Sequence, residues 1–515
     1  MQRAQTILFR LFLPFISLLA ACSSSPEEFS SSNEQLSIYP DYTSITIPPN
    51  IAPLNFRINN EGEAFIIKIV NTKGNSIKLS TNTGKVLIPE SKWKKLLAED
   101  KGGTLTYEVY RKLADNSWEK YEDISNSIAS DEIDGYVAFR KITSVHTYWS
   151  RMGIYQRSLE DFRVRPIMTN DLTDKNCMNC HTFNKGNPEE MLFHMRAAYG
   201  GTLIKTEEDL DFVNTKSDHT RGAGAYASWH PNGNIIAFSV NDVKQSFLSK
   251  IGKNLVVYDK HSDIILYDLD EKTVTRPDLL STKALENLPT WSPDGKLLYF
   301  ISAREIDYST DLTDTKYDLL SIGFDEVSRK FEEPDTLINN LDFGKSITFP
   351  RVSPSGKYIS FIGVDHGYFS INSREADIYL YNTTSKQIIK PDINSSMTES
   401  YPSWSNSGSW LMFVSKREDG DLSQLWFSHI DENGNSSKPF VLPQKDPDFY
   451  DEYIYNYNRP EFITGKVSLH PRKIFSFVKS GTKQTFFNDG ESVSMTSGAT
   501  VLSPEQEQEG IPYHQ

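Results

Sequence analysis

Two cysteines and a histidine lie close together in the stretch DKNCMNCHTFN, residues 174–184. Cys177 and Cys180 are separated by two residues, and His181 follows directly. Two thiols at this spacing can reach the two vinyl groups of a haem, and the adjacent imidazole can bind the iron. The motif therefore predicts one covalently attached haem c, with both cysteines as thioether anchors and His181 as the proximal ligand.

The same spacing leaves two other interpretations open. In an oxidising compartment Cys177 and Cys180 could form a disulfide, although no βαβ pattern of a thioredoxin-like unit surrounds them. A structural zinc site would need two further ligands, and the sequence has no second C-x-x-C and no H-x-x-x-H. We therefore favour haem over the disulfide and the zinc site.

The segment NPEEMLFHMRAAYGG, 187–201, follows the motif and predicts a short helix over 188–198. Asn187 can cap the helix, Pro188 suits its first position, and Gly200 can end it. On such a helix Met191 and His194 would lie on one face. The helix would therefore present side chains to the haem.

The sixth iron ligand is predicted within this helix. Core packing is the other interpretation of its methionines, and a buried histidine is often merely hydrogen-bonded. Our first choice is His194, followed by Met195 and Met191, with His146 and Met152 as alternatives from the upstream segment.

The N-terminus has the pattern of an export signal. Arg3 and Arg10 supply positive charge, residues 11–21 form an apolar run too short to span a bilayer, and LAAC ends it at Cys22. This end resembles the lipobox of bacterial lipoproteins, which implies that Cys22 is lipidated and anchors the protein to a membrane. An ordinary cleaved signal with an incidental cysteine is the alternative.

These features predict a protein of the bacterial cell envelope, with a signal peptide over 1–21 and a flexible tether over 22–35. Ser23 after the cysteine favours the outer membrane, and the acidic pair Glu27 and Glu28 leaves surface export open. The sequence does not decide between a periplasmic and a surface face.

Composition limits the class of protein and of partner. A chain of 515 residues with 38% hydrophobic and 24% charged residues is expected to form two or more globular domains. Its net charge of −14 opposes nonspecific binding to nucleic acid. We therefore predict no nucleic-acid partner.

Four similar segments repeat in the second half of the chain. Each has a short strand, a polar turn with glycine and an alternating apolar strand, and the turn glycines recur after 62, 61 and 52 residues. Four strands per unit at this period predict propeller blades. The segments are YASWHPNGNIIAFSV (226–240), PTWSPDGKLLYFISA (289–303), FPRVSPSGKYISFIG (349–363) and YPSWSNSGSWLMFVS (401–415).

These W-S-P-D-G-K-like turns resemble the TolB-type, WD-like β-propeller repeat. Together with the lipobox and the C-x-x-C-H motif, the chain resembles exported lipoproteins of Bacteroidetes-type bacteria described as TolB-like or cytochrome c biosynthesis-like. The resemblance implies an all-β propeller, with six blades favoured and five possible. Residues 200–217 could supply the outer half of another blade, and 457–478 the closing strands.

The expected domain order starts with a small β-sandwich-like domain over 36–125. SKWKKLLAED predicts one helix inside it. A helical haem segment over 126–200, the propeller over 201–480 and a C-terminal tail over 481–515 follow.

The sequence thus predicts a lipid-anchored monohaem c-type cytochrome-like protein that transfers electrons and docks a protein or redox partner at its propeller. The alternative is a non-redox envelope scaffold that recognises protein or peptide. An enzyme is less favoured, because the chain has neither a G-x-S-x-G elbow nor a phosphate-binding G-x-x-x-x-G-K-[ST] loop.

Overall fold

β-Strands dominate the computed structural model of this chain. The signal peptide, Cys22 and His146 lie outside the part that it describes, so the predictions made for them stay predictions. No helix within the described part is both long and apolar enough to cross a membrane. The described residues are 25–143, 151–250, 253–305, 315–488 and 493–495.

The N-terminal domain has two sheets and one helix around an apolar core. Its elements are β1 (Ser30–Ser31), β2 (Ile38–Tyr39), β3 (Thr46–Ile47), β4 (Phe56–Ile58), β5 (Ala64–Asn71), β6 (Ser76–Thr81), β7 (Lys85–Val86), α1 (Glu90–Ala98), β8 (Thr104–Lys112), β9 (Trp118–Lys120) and β10 (Ile124–Ile128). One sheet contains β1-β9-β8-β10-β3, with β5 and β6 joined to it through β8, and the other contains β2-β4-β7. This arrangement agrees with the predicted β-sandwich-like domain.

The helix predicted from SKWKKLLAED is present as α1. It begins after Pro89, which lacks a side-chain cap, and it buries Trp93 and Leu97 against the sheets. The predicted tether is partly ordered, because β1 pairs with β9 and Glu34 binds Arg111 at 2.8 Å.

Six further sheets follow in the described residues, and we number them as blades I to VI. Blade I contains β11 (Tyr136–Ile142), β12 (Met152–Ser158) and β13 (Val164–Thr169), and blade II contains β14 (Met178–Phe183), β15 (Met191–Met195), β16 (Gly201–Lys205) and β17 (Leu210–Asn214). Blade III contains β18 (Ala225–Trp229), β19 (Ile235–Lys250), β20 (Lys253–Asp268) and β21 (Thr273–Thr275).

The later blades correspond to the repeats found in the sequence. Blade IV contains β22 (Leu285–Trp291), β23 (Leu297–Ala303), β24 (Asp318–Asp325), β25 (Lys330–Phe331) and β26 (Asp335–Ile338), and is followed by α2 (Asn340–Phe343). Blade V contains β27 (Ser346–Val352), β28 (Tyr358–Val364), β29 (Asp377–Asn382) and β30 (Ile388–Ile389), and blade VI contains β31 (Glu399–Trp404), β32 (Trp410–Ser415), β33 (Gln424–His429) and β34 (Phe440–Val441).

The C-terminal part of the chain closes the ring. β35 (Asn456–Ile463) pairs with β11 and becomes the inner strand of blade I, as predicted for 457–478. The six inner strands then contact one another in the closed cycle β35, β14, β18, β22, β27, β31 and back to β35. The protein is therefore a six-bladed, all-β propeller preceded by a small β-domain.

The helix predicted over 188–198 is wrong. The segment instead forms β15, which lies between β14 and β16 in the sheet of blade II. All five residues of MLFHM are buried, since both faces of this strand are covered by neighbouring blades. Pairing with two strands overrides the local helix signal, so the structure contains no helical haem segment over these residues.

Residues outside the repeats complete blades II and III. As predicted for 200–217, β16 and β17 form the outer half of a blade. In the expected tail, α3 (Pro471–Val478) is followed by β36 (Lys483–Gln484), which pairs with β17, and by β37 (Phe486–Asn488), which pairs with β21 and with β38 (Val493–Met495). These short strands cover sheet edges.

Polar contacts fix the N-terminal domain to the connection before β35. Arg57 Nη1 lies 2.5 Å from Asp448 and 2.8 Å from Asp451. Asn55 Nδ2 donates to the carbonyl oxygen of Lys445 at 2.9 Å. The domain therefore packs beside the strand that closes the propeller.

Candidate binding site at the propeller axis

Each inner strand carries one β-bulge, and the bulged residue has a positive φ. The pairing register shifts at this point in every blade. A positive φ is uncommon for residues other than glycine, so six equivalent cases indicate a shared architectural position. The residues are Cys180 (φ 55°), Tyr226 (47°), Leu288 (51°), Phe349 (46°), Tyr401 (50°) and Arg459 (46°).

These six side chains meet at the axis, and we call them the axial plug. The rings of Phe349 and Tyr401 are 4.7 Å apart, and those of Tyr226 and Phe349 are 6.2 Å apart. The Arg459 guanidinium lies 5.2 Å above the Tyr226 ring, and its Nη1 is 3.9 Å from Cys180 Sγ. All except the half-buried Tyr226 are buried, so the plug closes the axis.

A second ring lies two residues further along each inner strand. They come directly after the bulge, and in three blades their side chains accept a hydrogen bond from an amide of the next inner strand: Ser228 from Trp291, Ser403 from Phe462 and Glu461 from Phe183. We call them the polar ring: Thr182, Ser228, Thr290, Arg351, Ser403 and Glu461. Each strand then runs into its turn, and His230 Nε2 lies 3.1 Å from the carbonyl oxygen of Gly295, which joins the turns of blades III and IV. We call this end of the propeller the turn face.

Arg351 and Glu461 carry the charges of the polar ring, and both are half-buried. Glu461 Oε1 accepts from Thr182 Oγ1 at 2.9 Å and from the Phe183 amide at 3.0 Å. Arg351 Nη1 donates to the carbonyl oxygen of Pro350 at 3.1 Å, and its guanidinium forms no salt bridge within the described residues, although the Glu461 charge favours its charged form. The two groups therefore line one ring without neutralising each other directly.

Burial shifts the pKa of both groups. Burial, followed by the nearby Arg459 cation, lowers the pKa of Arg351 to about 10, so its guanidinium stays charged at neutral pH. Burial raises the pKa of Glu461, although the Phe183 amide and the Arg351 cation oppose the shift.

The structure places the C-x-x-C-H motif on this inner strand. Cys180 belongs to the plug, whereas Cys177 precedes β14, is half-buried and packs against the core between blades I and II. His181 follows the bulge, where four other blades carry proline: Pro289, Pro350, Pro402 and Pro460. Both cysteines are free thiols.

His181 is 1% exposed, and its ring lies 6.3 Å from that of Phe183 on the side of blade I. The backbone of Ala138 and Arg459 is close, but neither ring nitrogen makes a well-formed hydrogen bond with the described residues. Burial, then the cations of Arg459 and Arg140, lowers the pKa of His181 to about 3. The imidazole is therefore neutral.

The predicted sixth ligands lie on two faces of blade II. Met191 and Met195 face blade I and share its core with Met152, whose Sδ accepts from the Met178 amide at 3.4 Å. His194 faces the other way, because strand residues alternate, and its Nδ1 lies 3.1 Å from Thr202 Oγ1. His181 and His194 are therefore on opposite faces of one sheet.

These residues meet the requirements of haem c only in part. Two free thiols and a neutral imidazole without partners are suitable donors. The three side chains do not converge, however, because Cys177 and His181 lie toward blade I whereas Cys180 belongs to the plug, where it contacts Arg459. No group of three or more His, Cys, Asp or Glu among the described residues is arranged to hold a metal ion. Attachment of haem would require residues 176–181 to leave the sheet.

The two buried histidines predict an acid-sensitive fold. Burial, followed by nearby arginine cations, lowers the pKa of each from 6.5 to about 3. Between these values the unfolded chain binds protons that the folded chain does not, so stability falls as the pH decreases below 6.5. Each histidine should cost about 1.4 kcal/mol per pH unit. Urea unfolding at pH 6.5 and pH 5 measures this effect. Between these two pH values the free energy of unfolding should decrease less for His194→Gln than for wild type. An equal decrease in both proteins would contradict a neutral, buried His194.

Comparison with known proteins finds distant structural similarities. No protein-family model and no curated protein matches the chain. The propeller domain of the Trilobed protease from Pyrococcus furiosus is 12% identical, over 64% of this chain and 90% of that domain, with a TM-score of 0.31. The Swd1 β-propeller domain of Myceliophteria thermophila is 12% identical, over 51% of this chain and 70% of that domain, with a TM-score of 0.30. An auxiliary nutrient binding protein from Bacteroides thetaiotaomicron is 9% identical, over 77% of this chain and 99% of that protein, with a TM-score of 0.31. We draw no functional conclusion from these values.

Sequence reasoning identified Cys180 and His181 but not the ring to which they belong. Arg459, Arg351 and Glu461 were not singled out. The sequence did contain a signal for them. NRPEF (458–462) aligns with the start of the repeats, and FPRV (349–352) has arginine at the position where the repeats with tryptophan have serine or threonine.

Proposed function

We propose that this protein is a lipid-anchored binding protein of the bacterial cell envelope that recognises its ligand at the propeller axis. The observation that carries the proposal is the half-buried guanidinium of Arg351, which lies in the polar ring without a carboxylate partner. The Glu461 charge favours the charged form of Arg351 but does not pair with it, and a partly desolvated guanidinium without a hydrogen-bonded anion costs free energy, so a ligand that pairs with Arg351 is a physical reason to retain it.

The scaffold supports this role. The closed ring of six sheets holds the polar ring on paired strands rather than on loops, so bound and free forms can share one geometry. Lipidation of Cys22, predicted from the lipobox, would keep the site at a membrane surface.

Thermal denaturation in the presence of candidate ligands tests the proposal. The full chain is screened against neutral sugars, sugar acids, amino acids and short peptides, with Arg351→Gln as the site variant. Arg163→Gln is the matched control, because the Arg163 side chain is 70% exposed and pairs only with Asp161 near the edge of blade I. A ligand should raise the midpoint of wild type and of the control but not of Arg351→Gln. A shift of equal size in all three proteins would place binding elsewhere.

Electron transfer by one haem c is our second proposal. It is favoured by the neutral, unpartnered imidazole of His181 next to Cys180 in the sequence. Bound haem would supply one-electron chemistry, with a redox partner docking at the propeller. The role of this chain's residues would be limited to holding the haem through Cys177, Cys180 and His181.

Expression in a host that matures c-type haem tests this second proposal. If haem attaches, wild type should stain for peroxidase activity on a denaturing gel, and the double variant Cys177→Ser/Cys180→Ser should not. Colourless wild type, purified folded from the same host, would exclude haem c.

A further inference from the structure

We infer that the polar ring binds a hydroxylated carboxylate, of the class of sugar acids, from the turn face of the propeller. The inference rests on the proposed function and names its ligand. The first step concerns charge. A planar guanidinium matches a carboxylate in bidentate fashion, and Arg351 has only the carbonyl oxygen of Pro350 as a partner among the described residues.

Glu461 supplies the second polar contact. Both of its hydrogen bonds, from Thr182 and from the Phe183 amide, go to Oε1. Oε2 has no partner among the described residues and is not sealed from solvent, because it is absent from the fully buried polar atoms without partners. This oxygen can therefore accept a hydrogen bond from a ligand hydroxyl.

The hydroxyl side chains of the ring complete the site. Ser228 Oγ accepts from the Trp291 amide at 3.3 Å, and Ser403 Oγ accepts from the Phe462 amide at 3.4 Å. Both keep their own O–H group to donate. Thr290, 6% exposed, bonds through its hydroxyl to no described residue. Such groups suit the alternating donors and acceptors of a polyhydroxylated molecule.

Charge also excludes other ligand classes. A neutral sugar would leave Arg351 without a bidentate anionic partner, and a phosphate dianion would meet stronger repulsion from Glu461 than a single carboxylate does. A free cation would be repelled by Arg351 and by Arg459 in the plug. A ligand with one carboxylate and several hydroxyl groups satisfies both ends of the ring.

The plug determines the direction of entry. Cys180, Leu288 and Phe349 are each at most 3% exposed and close the axis on one side of the polar ring. The turn face remains, where Arg351, Ser228 and Glu461 are half-buried. The ligand therefore approaches between the turns of the blades.

Isothermal titration of the full chain with D-glucuronate tests the inference. Glucose, glycine and inorganic phosphate serve as comparison probes. Glucuronate should bind wild type and Arg163→Gln equally. Arg351→Gln should weaken binding about 100-fold, the effect of losing a charged bidentate pair, and Thr290→Val up to about tenfold. The expected result is that wild type binds glucuronate and that Arg351→Gln and Thr290→Val each weaken this binding.

Several outcomes would overturn the inference. If glucose or glycine binds, glucuronate does not, and Arg351→Gln weakens the observed binding, then the proposed function stands but the ligand class inferred here is wrong. Phosphate binding as tightly as glucuronate identifies a general anion site instead. If no probe binds in the titration and no compound of the thermal screen raises the unfolding midpoint, both this inference and the proposed binding function fail. Should Arg351→Gln not fold, Glu461→Gln and Thr290→Val decide, and unchanged glucuronate affinity in both contradicts the site.

Discussion

Replacement of Phe462 by aspartate is expected to abolish the folded propeller. Phe462 is 2% exposed, lies opposite Val137 in the pairing of β35 with β11 and packs against Phe427 at 6.1 Å between ring centres. Burying an unpaired carboxylate there costs several kcal/mol in addition to the lost packing, against a typical total stability of about 5–15 kcal/mol.

Ile454→Asp is the matched control, since Ile454 lies eight residues upstream and is 65% exposed. Far-ultraviolet circular dichroism during heating measures both variants. The control should unfold within about 2 °C of wild type, because exposed substitutions change stability by about 0.5 kcal/mol at most. Cooperative unfolding of Phe462→Asp close to the wild-type temperature would contradict the role of β35 in closing the ring.

The second large effect concerns the thiols of the C-x-x-C-H motif. In the chain with Cys22→Ser, a thiol reagent should label half-buried Cys177 quickly and Cys180 at least about 10³-fold more slowly. Cys180 is 2% exposed and contacts Arg459 in the plug, so it reacts only when the inner strand opens. Single variants, Cys177→Ser and Cys180→Ser, assign the two rates.

The number of thiols after denaturation separates the interpretations of the motif. Two thiols without reductant indicate the free pair found in this structure. Two thiols that appear only after reduction indicate a disulfide, and none under either condition indicates thioether attachment of haem. Equal rates for the two cysteines in the folded chain would contradict the buried position of Cys180.

The sequence predicted the propeller well where each blade keeps its polar turn with glycine. Trp229, Trp291 and Trp404 end the inner strands of three blades, and the spacing of the turn glycines that follow revealed the repeat. Blades I and II escaped this comparison. Blade I takes its inner strand from the far end of the chain, and blade II has Phe183 where three of the blades have tryptophan.

The candidate site was harder to predict for a different reason. C-x-x-C-H was interpreted as a local unit, but its last two residues occupy the bulge and the following position of an inner strand. Local sequence also favoured a helix around His194, whereas pairing with β14 and β16 made this segment a strand. The six residues of the polar ring, Arg351 among them, come from six distant segments, and only the closed propeller brings them together.

The order of synthesis gives the closure of blade I a further consequence. β11 emerges from the ribosome more than 300 residues before its partner β35, so the edge of β11 stays unpaired while the rest of the chain is made. A ring that lacks its last inner strand is less stable than the closed one. Folding of the ring is therefore completed only when β35 has been made and pairs with β11, and the intermediate before closure presents an open sheet edge that can pair with other chains.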